Sequence, residues 1–427
     1  MKAIIKRYIP PIILNYLREL YIRYLIYTQP RRHRKALKRL QRKDKIKVAF
    51  FATHSSVWKY DYLYRLMVKH SRFEPIIIVC PVVNYGMENM LQEMDQRYNM
   101  FHPRKYNVIR SYNVDTQEYL DVKTEINPDI IFYTNPYKGV IDDRYYISKF
   151  LDKLTCYAPY GYAMSNNENV LFNLPFHNLL WKVFYETDIH KELAQQYAIN
   201  AGVNVVTSGY LLFDEFNFHK QQCKYIKSSN KKIIIWAPHH TIEDNSNTYG
   251  YSCFLEYSEI FINLRDEYKD IIYWIFKPHP ILREKLYKHP LWGKTKTEQY
   301  YNNWNDSDYS EINEGDYTDI FLKSDAMILD SISFVAEYFY TKKPLLFTTK
   351  DETILNKFNR FGKEVFKHIY KSRKVEEIKE FIDNVVLRSQ DPLYENRNQF
   401  YENVLFKKNV SKNILNILEI EIGLNNN

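Results

Sequence analysis

The chain has 427 residues, which is enough for two domains with full hydrophobic cores, and its 45% hydrophobic and 26% charged residues exclude wholesale disorder. Its four cysteines form no CxxC pair, which argues against a zinc site or a disulfide framework and fits a reducing compartment. The net charge is +9, but residues 1–45 hold 14 Lys and Arg and only Glu19 and Asp44 as acids, so the basic excess belongs to an N-terminal arm and does not indicate a nucleic-acid-binding body.

Within this arm, residues 10–28 predict a helix that is entered through a pair of prolines. Its apolar side chains recur at helical spacing and form one stripe, made of Ile13, Leu17, Leu20, Tyr24 and Tyr27. Three charged residues interrupt the helix, namely Arg18, Glu19 and Arg23. These charges exclude a membrane-spanning helix, which needs ~20 largely uncharged residues, and they also exclude the apolar region of a signal peptide.

A polybasic segment, residues 31–43, follows this helix. An amphipathic helix joined to a basic cluster is a two-part anchor for an anionic membrane face. The alternative is a helix that packs on the protein body and leaves its charged face in solvent. We favour the membrane interpretation and expect residues 1–44 to form a basic, membrane-associating arm.

The next part of the chain alternates apolar strands with helical patterns. The first strand is predicted at 45–53 and runs into His54 and then a helix. Further strands are predicted at 75–80, 129–134, 154–158, 181–185 and 203–207, and helices at 87–95 and 188–199. Such alternation predicts a mostly parallel sheet, so we assign residues 45–220 to an N-terminal Rossmann-like domain.

A polar and cationic segment, residues 221–232, is the predicted linker to a second set of strands. These strands are predicted at 233–238, 271–276, 326–329 and 345–347. We assign 221–375 to a second Rossmann-like domain and 376–427 to C-terminal helices, with an amphipathic helix predicted at 375–386. The predicted fold class is therefore α/β, with two Rossmann-like domains facing a cleft and an N-terminal amphipathic helical arm.

The stretch 324–347 combines a buried strand, a polar turn, a helix and a second buried strand. Asp330, Ser331 and Ser333 follow the first of these strands, and all three are residue types that cap helices. A helix that begins at the carboxyl end of a parallel strand also presents free backbone N–H groups to phosphate. The alternative is that the two serines only cap the helix.

Three strand-end loops of the second half, 238–241, 277–280 and 330–333, each follow an apolar strand. Because the carboxyl ends of parallel strands meet at one edge of a sheet, we expect the three loops to converge. Their polar side chains are those of His239, His240, Thr241, Lys277, His279, Asp330, Ser331 and Ser333. Imidazoles, a lysine and hydroxyls suit a diphosphate and its leaving group. An imidazolium or a lysine near the bridging oxygen can neutralise charge as a P–O bond breaks. For each histidine taken alone, a structural role is equally open.

The histidines of these loops, His239, His240 and His279, could instead suggest a metal. No HExxH motif and no cluster of acidic residues accompanies them, so we expect no metal. The sequence also has no GxGxxG fingerprint, no GxxxxGK[ST] loop and no GxSxG elbow, which removes the main support for NAD, P-loop and serine-hydrolase chemistry. No cofactor is expected.

Several motifs between residues 205 and 350 together carry a resemblance. They are Lys-Pro-His-Pro at 277–280, Ser-Asp-Ala-Met-Ile-Leu-Asp-Ser-Ile-Ser at 324–333 with Glu337, Lys-Pro-Leu-Leu-Phe at 343–347, Gly-Tyr-Leu-Leu-Phe-Asp at 209–214 and Trp-Ala-Pro at 236–238. In this combination the chain resembles the CDP-glycerol glycerophosphotransferases of teichoic acid synthesis. The resemblance covers the second domain and its lead-in, whereas the first half is similar only in layout.

The resemblance implies a GT-B architecture, with the donor nucleotide on the C-terminal domain and the acceptor on the N-terminal domain. It also implies a peripheral protein of the cytoplasmic membrane face that acts on polyprenyl-linked acceptors. By this resemblance, His279 would contact the donor diphosphate, and Asp330, Ser331 and Ser333 would hold ribose or phosphate. Lys277, His239 and Glu337 complete the expected substrate-binding set.

The chain departs from the family pattern at two places. Where the family's turn reads Asp-Tyr-Ser-Ser, this chain has Ser331 in place of the tyrosine and Ile332 in place of the first serine. The family's His-Gly-Thr segment, whose histidine is the proposed base, corresponds to residues 156–162, which contain no histidine. His54 or His240 would then take the place of that base.

The sequence thus predicts a membrane-associated transferase that moves glycerol phosphate, or a related polyol phosphate, from a CDP-linked donor to a lipid-linked or polysaccharide acceptor in cell-surface polymer synthesis. The expected partners are this nucleotide donor, the acceptor and an anionic membrane surface, and not nucleic acid. Two alternatives stay open: a nucleotide-sugar glycosyltransferase of capsule or surface-polysaccharide assembly, and a catalytically silent scaffold.

Overall fold

A computed structural model describes residues 10–54, 57–222, 230–242, 250, 252–350 and 352–424 of the chain. Most of the predicted linker (221–232) lies outside these residues, as do 1–9 of the predicted arm and the terminal 425–427. The chain forms two compact units. The first unit contains the described residues of Met1–Tyr160, Asn167–Asp214 and Lys407–Asn427, and the second contains those of Gly161–Asn166 and Glu215–Phe406.

Each unit is built on a parallel β-sheet. The strands of the first sheet are β1 (Ile46–Ala52), β2 (Phe73–Val79), β3 (Val108–Arg110), β4 (Ile130–Tyr133), β5 (Leu154–Tyr157), β6 (Lys182–Tyr185) and β7 (Val205–Thr207). The strands of the second sheet are β8 (Lys232–Ala237), β9 (Ile272–Phe276), β10 (Ser310–Ile312), β11 (Ala326–Leu329), β12 (Leu345–Thr348) and β13 (Tyr370–Ser372).

Helices connect these strands in both units. The first unit contains α1 (Pro11–Leu40), α2 (Asp61–Lys69), α3 (Met87–Phe101), α4 (Glu168–Phe172), α5 (Pro175–Leu179) and α6 (Asp188–Tyr197). From Leu212 onward the helices are α7 (Leu212–Gln222), α8 (Phe254–Glu267), α9 (Leu282–Lys288), α10 (Gly293–Asn305), α11 (Thr318–Lys323), α12 (Ile332–Tyr338), α13 (Arg360–Val365), α14 (Val375–Glu380) and α15 (Tyr394–Phe400). The last helix, α16 (Val410–Ile422), belongs again to the first unit.

The two sheets have the same kind of strand order. The first runs β3-β2-β1-β4-β5-β6-β7 and the second β10-β9-β8-β11-β12-β13, and the paired neighbours are parallel. In each sheet the order reverses at one place, between β1 and β4 and between β8 and β11. Open α/β sheets bind ligands outside the carboxyl ends of the strands at such a switch point. The predicted α/β fold class with two parallel-sheet domains is confirmed.

The central strands are apolar because helices cover both faces of the sheet. In β1 every residue except Lys47 is buried, which is the near-continuous apolar run expected of a parallel strand. The core of the second unit is aromatic, and the Trp236 ring lies 4.1 Å from that of Phe261 and 5.1 Å from that of Phe276, centroid to centroid. Apolar runs of this kind explain why the central strands could be predicted from the sequence.

The predictions missed three short strands, β3, β10 and β13. Each has three residues, and each includes a charged residue. All three lie at an edge of their sheet, where a strand pairs on one side only and stays partly polar. An apolar-run criterion therefore cannot find them.

The domain boundaries also differ from those predicted. The units divide after Asp214, whereas the predicted boundary followed residue 220. The predicted C-terminal helical segment does not stay together, because 376–406 belong to the second unit and 407–424 to the first. Val410, Ile414 and Leu418 of α16 are fully buried in the core of the first unit.

The N-terminal helix α1 is longer than predicted and includes the polybasic segment up to Leu40. Its second half packs on the first unit, where the Gln29 Nε2 donates to the Leu151 carbonyl at 2.9 Å and the Arg39 Nη2 to the Asp152 carbonyl at 2.7 Å. Residues 11–24 are exposed or partly exposed, and every residue of the predicted apolar stripe is exposed. Within the described residues, no helix is both long enough and apolar enough to cross a membrane. The second half of the helix therefore matches the alternative of a helix packed on the protein body, and membrane binding stays a prediction.

The motif at 209–214 holds α16 on the first unit. Gly209 has φ +95°, and a Cβ atom there would lie 2.6 Å from the Lys407 Cβ, so only glycine fits. The Ser411 N–H, at the start of α16, donates to the buried Asp214 Oδ2 at 2.6 Å. The carboxylate thus satisfies one of the free N–H groups at the helix N-terminus.

We expect Asp214→Ala to destabilise the first unit by about 1–3 kcal/mol, because the buried Ser411 N–H loses its acceptor. Denaturant unfolding measures this as a lower transition midpoint of the first unit. Asp214→Asn, which keeps an amide oxygen, should lose less. Equal midpoints for Asp214→Ala and the wild-type protein would contradict this role.

Candidate functional site

The three predicted loops lie at the switch point of the second sheet. They follow β9, β8 and β11, which are adjacent in the strand order. The His279 N–H donates to the Pro238 carbonyl at 3.0 Å, and the His239 N–H donates to the Asp330 Oδ1. The loops are therefore joined by one backbone hydrogen bond and by one hydrogen bond from a backbone N–H to the Asp330 carboxylate, as expected where parallel strands converge.

The side chains of His239, His240 and His279 form a histidine cluster. Their ring centroids are 4.3 Å apart for His239 and His240, 4.2 Å for His240 and His279, and 5.0 Å for His239 and His279. One nitrogen from each ring lies within 4.8 Å of the others. His239 is buried, whereas His240 and His279 are partly exposed.

Backbone N–H groups donate to the Nδ1 atoms of two of these rings. The Ile281 N–H donates to the His279 Nδ1 at 3.2 Å, and the Thr241 N–H donates to the His239 Nδ1 at 3.4 Å. A neutral imidazole whose Nδ1 accepts a hydrogen bond carries its proton on Nε2. His279 therefore presents an N–H donor on its outer nitrogen, whereas the His239 Nδ1 also lies 2.9 Å from the Thr241 hydroxyl, which can accept a hydrogen bond as well as donate one. The His240 Nδ1 is buried and has no hydrogen-bond partner among the described residues.

Burial keeps the three rings neutral at neutral pH. It lowers the pKa of His279 to about 3 and that of His240 to about 4, and it lowers the pKa of His239 well below the usual range. The Lys285 ammonium on α9 contributes to each of these shifts. The cluster is thus a set of neutral donors with a lysine nearby.

This donor set fits an anion better than a metal ion. In the His279 tautomer that the Ile281 N–H favours, the Nε2 carries a proton, so its lone pair is not available to a metal. Metal-bound histidines usually donate their other N–H to a carboxylate or carbonyl, whereas the His279 Nδ1 accepts from a backbone N–H. An oxygen atom of a phosphate would accept from the His279 Nε2–H without any change of tautomer.

Asp330 is fully enclosed by protein donors. Its Oδ1 accepts from the His239 N–H, and its Oδ2 accepts from the Ser252 hydroxyl at 3.0 Å and the Cys253 N–H at 2.6 Å. Burial raises the pKa of Asp330 to about 7, although the three hydrogen bonds act in the other direction and lower it. Asp330 therefore positions the loop that carries the histidine cluster, and a direct contact with nucleotide stays a prediction.

The other predicted residues have varied surroundings. The Lys277 Nζ is buried and donates to the Gly315 carbonyl at 2.7 Å, and burial lowers its pKa to about 8. Ser331 is buried, whereas Ser333, in the first turn of α12, is exposed. The buried Glu337 accepts a 2.7 Å hydrogen bond from the Tyr317 hydroxyl. Of this set, Ser333 has the most accessible side chain.

His54 belongs to the first unit and lies just beyond β1. Its Nδ1 is 3.4 Å from the Glu93 Oε2 on α3. Sequence reasoning missed Glu93, and it also missed Ser252, Cys253 and Lys285 in the second unit. Only Glu93 had a signal: it lies on the predicted helix 87–95, and Arg97 follows it at i+4 spacing, just beyond the predicted end.

A family model for CDP-Glycerol:Poly(glycerophosphate) glycerophosphotransferase matches residues 194–419, which is more than half of the chain. The chain belongs to this family. The resemblance predicted from the motifs is confirmed, and so is the assignment as a transferase of the glycerophosphotransferase class. The match includes the three loops of the second sheet and ends inside α16, so this family member has its histidine cluster and Asp330 within the matched region.

Solved structures agree with a GT-B-like fold for this family member. The wall teichoic acid polymerase TagF is 13% identical, with a TM-score of 0.58 over 97% of this chain and 98% of that one. S. aureus MnaA, solved with UDP, is 16% identical, with a TM-score of 0.58 over 89% and 97% of the two chains. UDP-GlcNAc 2-epimerase from Neisseria meningitidis, bound to UDP-GlcNAc, is 14% identical, with a TM-score of 0.54 over 88% and 99%. At these identities the likeness establishes the fold alone. No curated protein sequence matches the chain.

The neutral cluster predicts how stability depends on pH. Burial lowers the pKa of His279 to about 3, so between that value and the unfolded value of about 6.5 the unfolded chain binds a proton that the folded chain does not. Stability must therefore fall as the pH decreases through this window. We expect the free energy of unfolding to fall less between pH 7.5 and 5.5 in His279→Gln than in the wild-type protein. Identical pH slopes would contradict a buried neutral imidazole, and His289→Gln, outside the cluster, serves as the control.

Proposed function

We propose that this protein transfers glycerol phosphate, or a related polyol phosphate, from a CDP-linked donor to a lipid-linked or polysaccharide acceptor in the synthesis of a cell-surface polymer. The main support is the histidine cluster at the switch point of the second sheet, in a chain whose family is defined by CDP-glycerol transfer. A CDP-glycerol soak of TagF, a protein of the same fold, agrees with this donor class.

In this reaction an acceptor hydroxyl attacks the β-phosphorus of the donor. The new bond joins the hydroxyl oxygen to this phosphorus, and the bond from the phosphorus to the bridging oxygen breaks. CMP leaves with the electron pair of that bond, and the proton of the hydroxyl passes to a base. Positioning of the reactants and neutralisation of the phosphate charge supply most of the rate gain in such transfers.

Each predicted residue has a proposed role in this step. The outer N–H groups of His279 and His239 donate to the diphosphate, and Lys277 supplies positive charge from behind the cluster. Ser331 and Ser333 hold ribose or phosphate oxygens, while Asp330 acts through the loop that it positions. Glu337 supports the nucleotide side of the site through Tyr317. The base is His240 or His54.

Donor binding is expected to take up protons. A diphosphate beside neutral imidazoles favours their charged form and raises their pKa values. The affinity for CDP should therefore increase as the pH falls from about 7.5 to 6. Calorimetry in two buffers with different ionisation enthalpies measures the proton uptake directly.

We expect His279→Ala to weaken CDP binding about 10- to 100-fold, since a hydrogen bond to a charged group contributes about 1.5–3 kcal/mol. CMP release from CDP-glycerol with a lipid-linked acceptor should fall at the same time. His289→Ala is the matched control, because the His289 Nδ1 also accepts a backbone N–H, from Leu291 at 3.3 Å, but lies outside the cluster. An unchanged CDP affinity in His279→Ala would refute its role.

A panel of nucleotides separates the alternatives. Thermal stabilisation by CDP ligands supports the proposed donor, since a ligand that binds only the folded state raises its stability. Stabilisation by UDP or GDP instead would indicate a nucleotide-sugar glycosyltransferase. Stabilisation by none of these nucleotides would indicate a scaffold.

We also propose that the protein binds the cytoplasmic face of the cell membrane through the exposed half of α1. Residues 11–24 present large apolar side chains to solvent, and Tyr16, Tyr21 and Tyr24 are each about 60% exposed. The packed half of the helix leaves Arg31, Lys35 and Lys38 exposed on its outer side. Apolar side chains next to exposed bases are the two components of reversible binding to anionic lipid.

We expect the triple variant Leu17→Gln, Leu20→Gln, Tyr24→Gln to lose at least about 10-fold in affinity for vesicles that contain anionic phospholipid, because each apolar group buried in lipid contributes on the order of 1 kcal/mol. The fold should not change, since all three side chains are exposed. Val114→Gln with Val203→Gln, two exposed apolar residues elsewhere in the first unit, is the matched control. Unchanged vesicle sedimentation of the triple variant would rule out this surface.

A further inference from the structure

Another loop lies at the same edge of the second sheet as the histidine cluster. It consists of residues 313–316, which follow β10 and read Asn-Glu-Gly-Asp. β10 pairs with β9, the strand that ends just before Lys277 and His279. Neighbouring strands lie about 5 Å apart, so loop 313–316 is the next one along the edge. A nucleoside is longer than this spacing, so the base of a nucleotide whose diphosphate contacts the histidine cluster can lie against this loop.

Two cationic side chains that follow β9 hold loop 313–316 in place. The buried Lys277 Nζ donates to the Gly315 carbonyl at 2.7 Å. The Arg283 Nη1, on α9, lies 3.3 Å from the Glu314 Oε2. The loop is thus fixed to the segment that carries part of the histidine cluster, and all of these residues belong to the second unit.

The charge of Arg283 is balanced by its neighbours. Its Nε lies 3.5 Å from the Glu298 Oε1, and its Cζ lies 4.3 Å from the centroid of the Tyr301 ring. The guanidinium therefore faces two carboxylates, those of Glu298 and Glu314. The Glu314 side chain stays 44% exposed, so its carboxylate is held in position and is still open to a ligand.

Loop 313–316 presents an excess of hydrogen-bond acceptors. Besides Glu314 it contains the exposed Asp316, whose Oδ1 accepts from the Thr318 N–H at 2.7 Å. The Asn313 Oδ1 is buried and has no hydrogen-bond partner among the described residues. A Cβ atom at Gly315 would meet no atom within 4 Å, so the space beside the loop is open. An unpaired acceptor costs free energy, which a donor group on a ligand can recover.

This excess of acceptors distinguishes the two common pyrimidine bases. Cytosine carries an amino group at its 4-position, which donates hydrogen bonds, whereas uracil carries a carbonyl oxygen there, which accepts them. A carboxylate pairs with the cytosine amino group. Beside uracil, the same carboxylate would face another acceptor with no hydrogen between the two oxygens. The loop therefore favours a cytosine nucleotide.

We propose that Glu314 selects the cytosine base of the donor by accepting a hydrogen bond from its 4-amino group. The inference rests on the proposed function and deepens it, because the histidine cluster alone would bind a diphosphate whatever base it carries. Arg283 holds the carboxylate at the edge of the sheet, one strand from His279.

Calorimetric titration of the full-length protein with CDP and with UDP tests this proposal. We expect the wild-type protein to bind CDP about 10- to 100-fold more tightly than UDP. Glu314→Gln should reduce this preference to about 3-fold or less, because an amide can turn its NH₂ group toward the uracil oxygen. The variant should keep its fold, since the change is isosteric and the side chain is 44% exposed.

Asp316→Asn is the matched control. It removes the same charge from the same loop, but at a carboxylate that already accepts a backbone N–H at the start of α11. The preference for CDP should therefore stay as in the wild-type protein. Loss of the preference in Asp316→Asn as well would overturn the proposal, since the effect would then come from the charge of the whole loop.

A base analogue separates a direct contact from an indirect effect. The diphosphate of 2-pyrimidinone riboside has the ring of cytosine without the 4-amino group. Relative to CDP, it should bind the wild-type protein about 10-fold more weakly and Glu314→Gln less than about 3-fold more weakly. Equal losses in the two proteins would overturn the proposal, because the amino group would then contact another residue.

Failure of this inference and failure of the proposed function give different results. If neither nucleotide binds the wild-type protein, or if UDP binds more tightly, the proposed donor fails and the inference fails with it. If the wild-type protein binds CDP and UDP equally well, only the inference is overturned. The same holds if Glu314→Gln keeps the wild-type preference for CDP.

Discussion

The candidate site depends on one buried carboxylate. Asp330 accepts hydrogen bonds from the backbone of His239 and of Cys253 and from the Ser252 hydroxyl, so it connects the ends of β8 and β11 to the start of α8. A buried carboxylate is costly unless its oxygens are satisfied, and here both are. The His239–His240 loop is consequently fixed by the protein interior. Its rings need no ligand to hold them in place.

The chemistry of the histidine cluster follows from this rigidity. Because the Ile281 N–H donates to the Nδ1 of His279, the outer nitrogen of this ring is a donor. Neutral donors in a partly buried place attract oxyanions without the desolvation cost of a buried cation. In the first unit, by contrast, the Glu93 carboxylate faces the Nδ1 of His54.

Much of this arrangement is predictable from the sequence. The apolar runs at 233–238, 271–276 and 326–329 locate three adjacent parallel strands, and parallel pairing alone brings His239, His279 and Asp330 to one edge. The role of Asp330 was not predictable, because its partners Ser252 and Cys253 carry no motif and reach it only through tertiary packing. Nor could the sequence reveal that α16 returns to the first unit, since its apolar pattern would suit a helix on either core. The sequence also did not reveal that the more basic second half of α1 packs on the first unit, while large apolar side chains of its first half are exposed.

The return of α16 affects how the protein is made. The core of the first sheet includes Val410, Ile414, Leu418 and Ile422, so it lacks one of its covering helices, α16, until residues 410–422 have been synthesised. All strands of the second sheet precede that segment and leave the ribosome earlier. The N-terminal sheet, although translated first, therefore completes its packing last, and until then its apolar face is open to chaperones or to wrong partners.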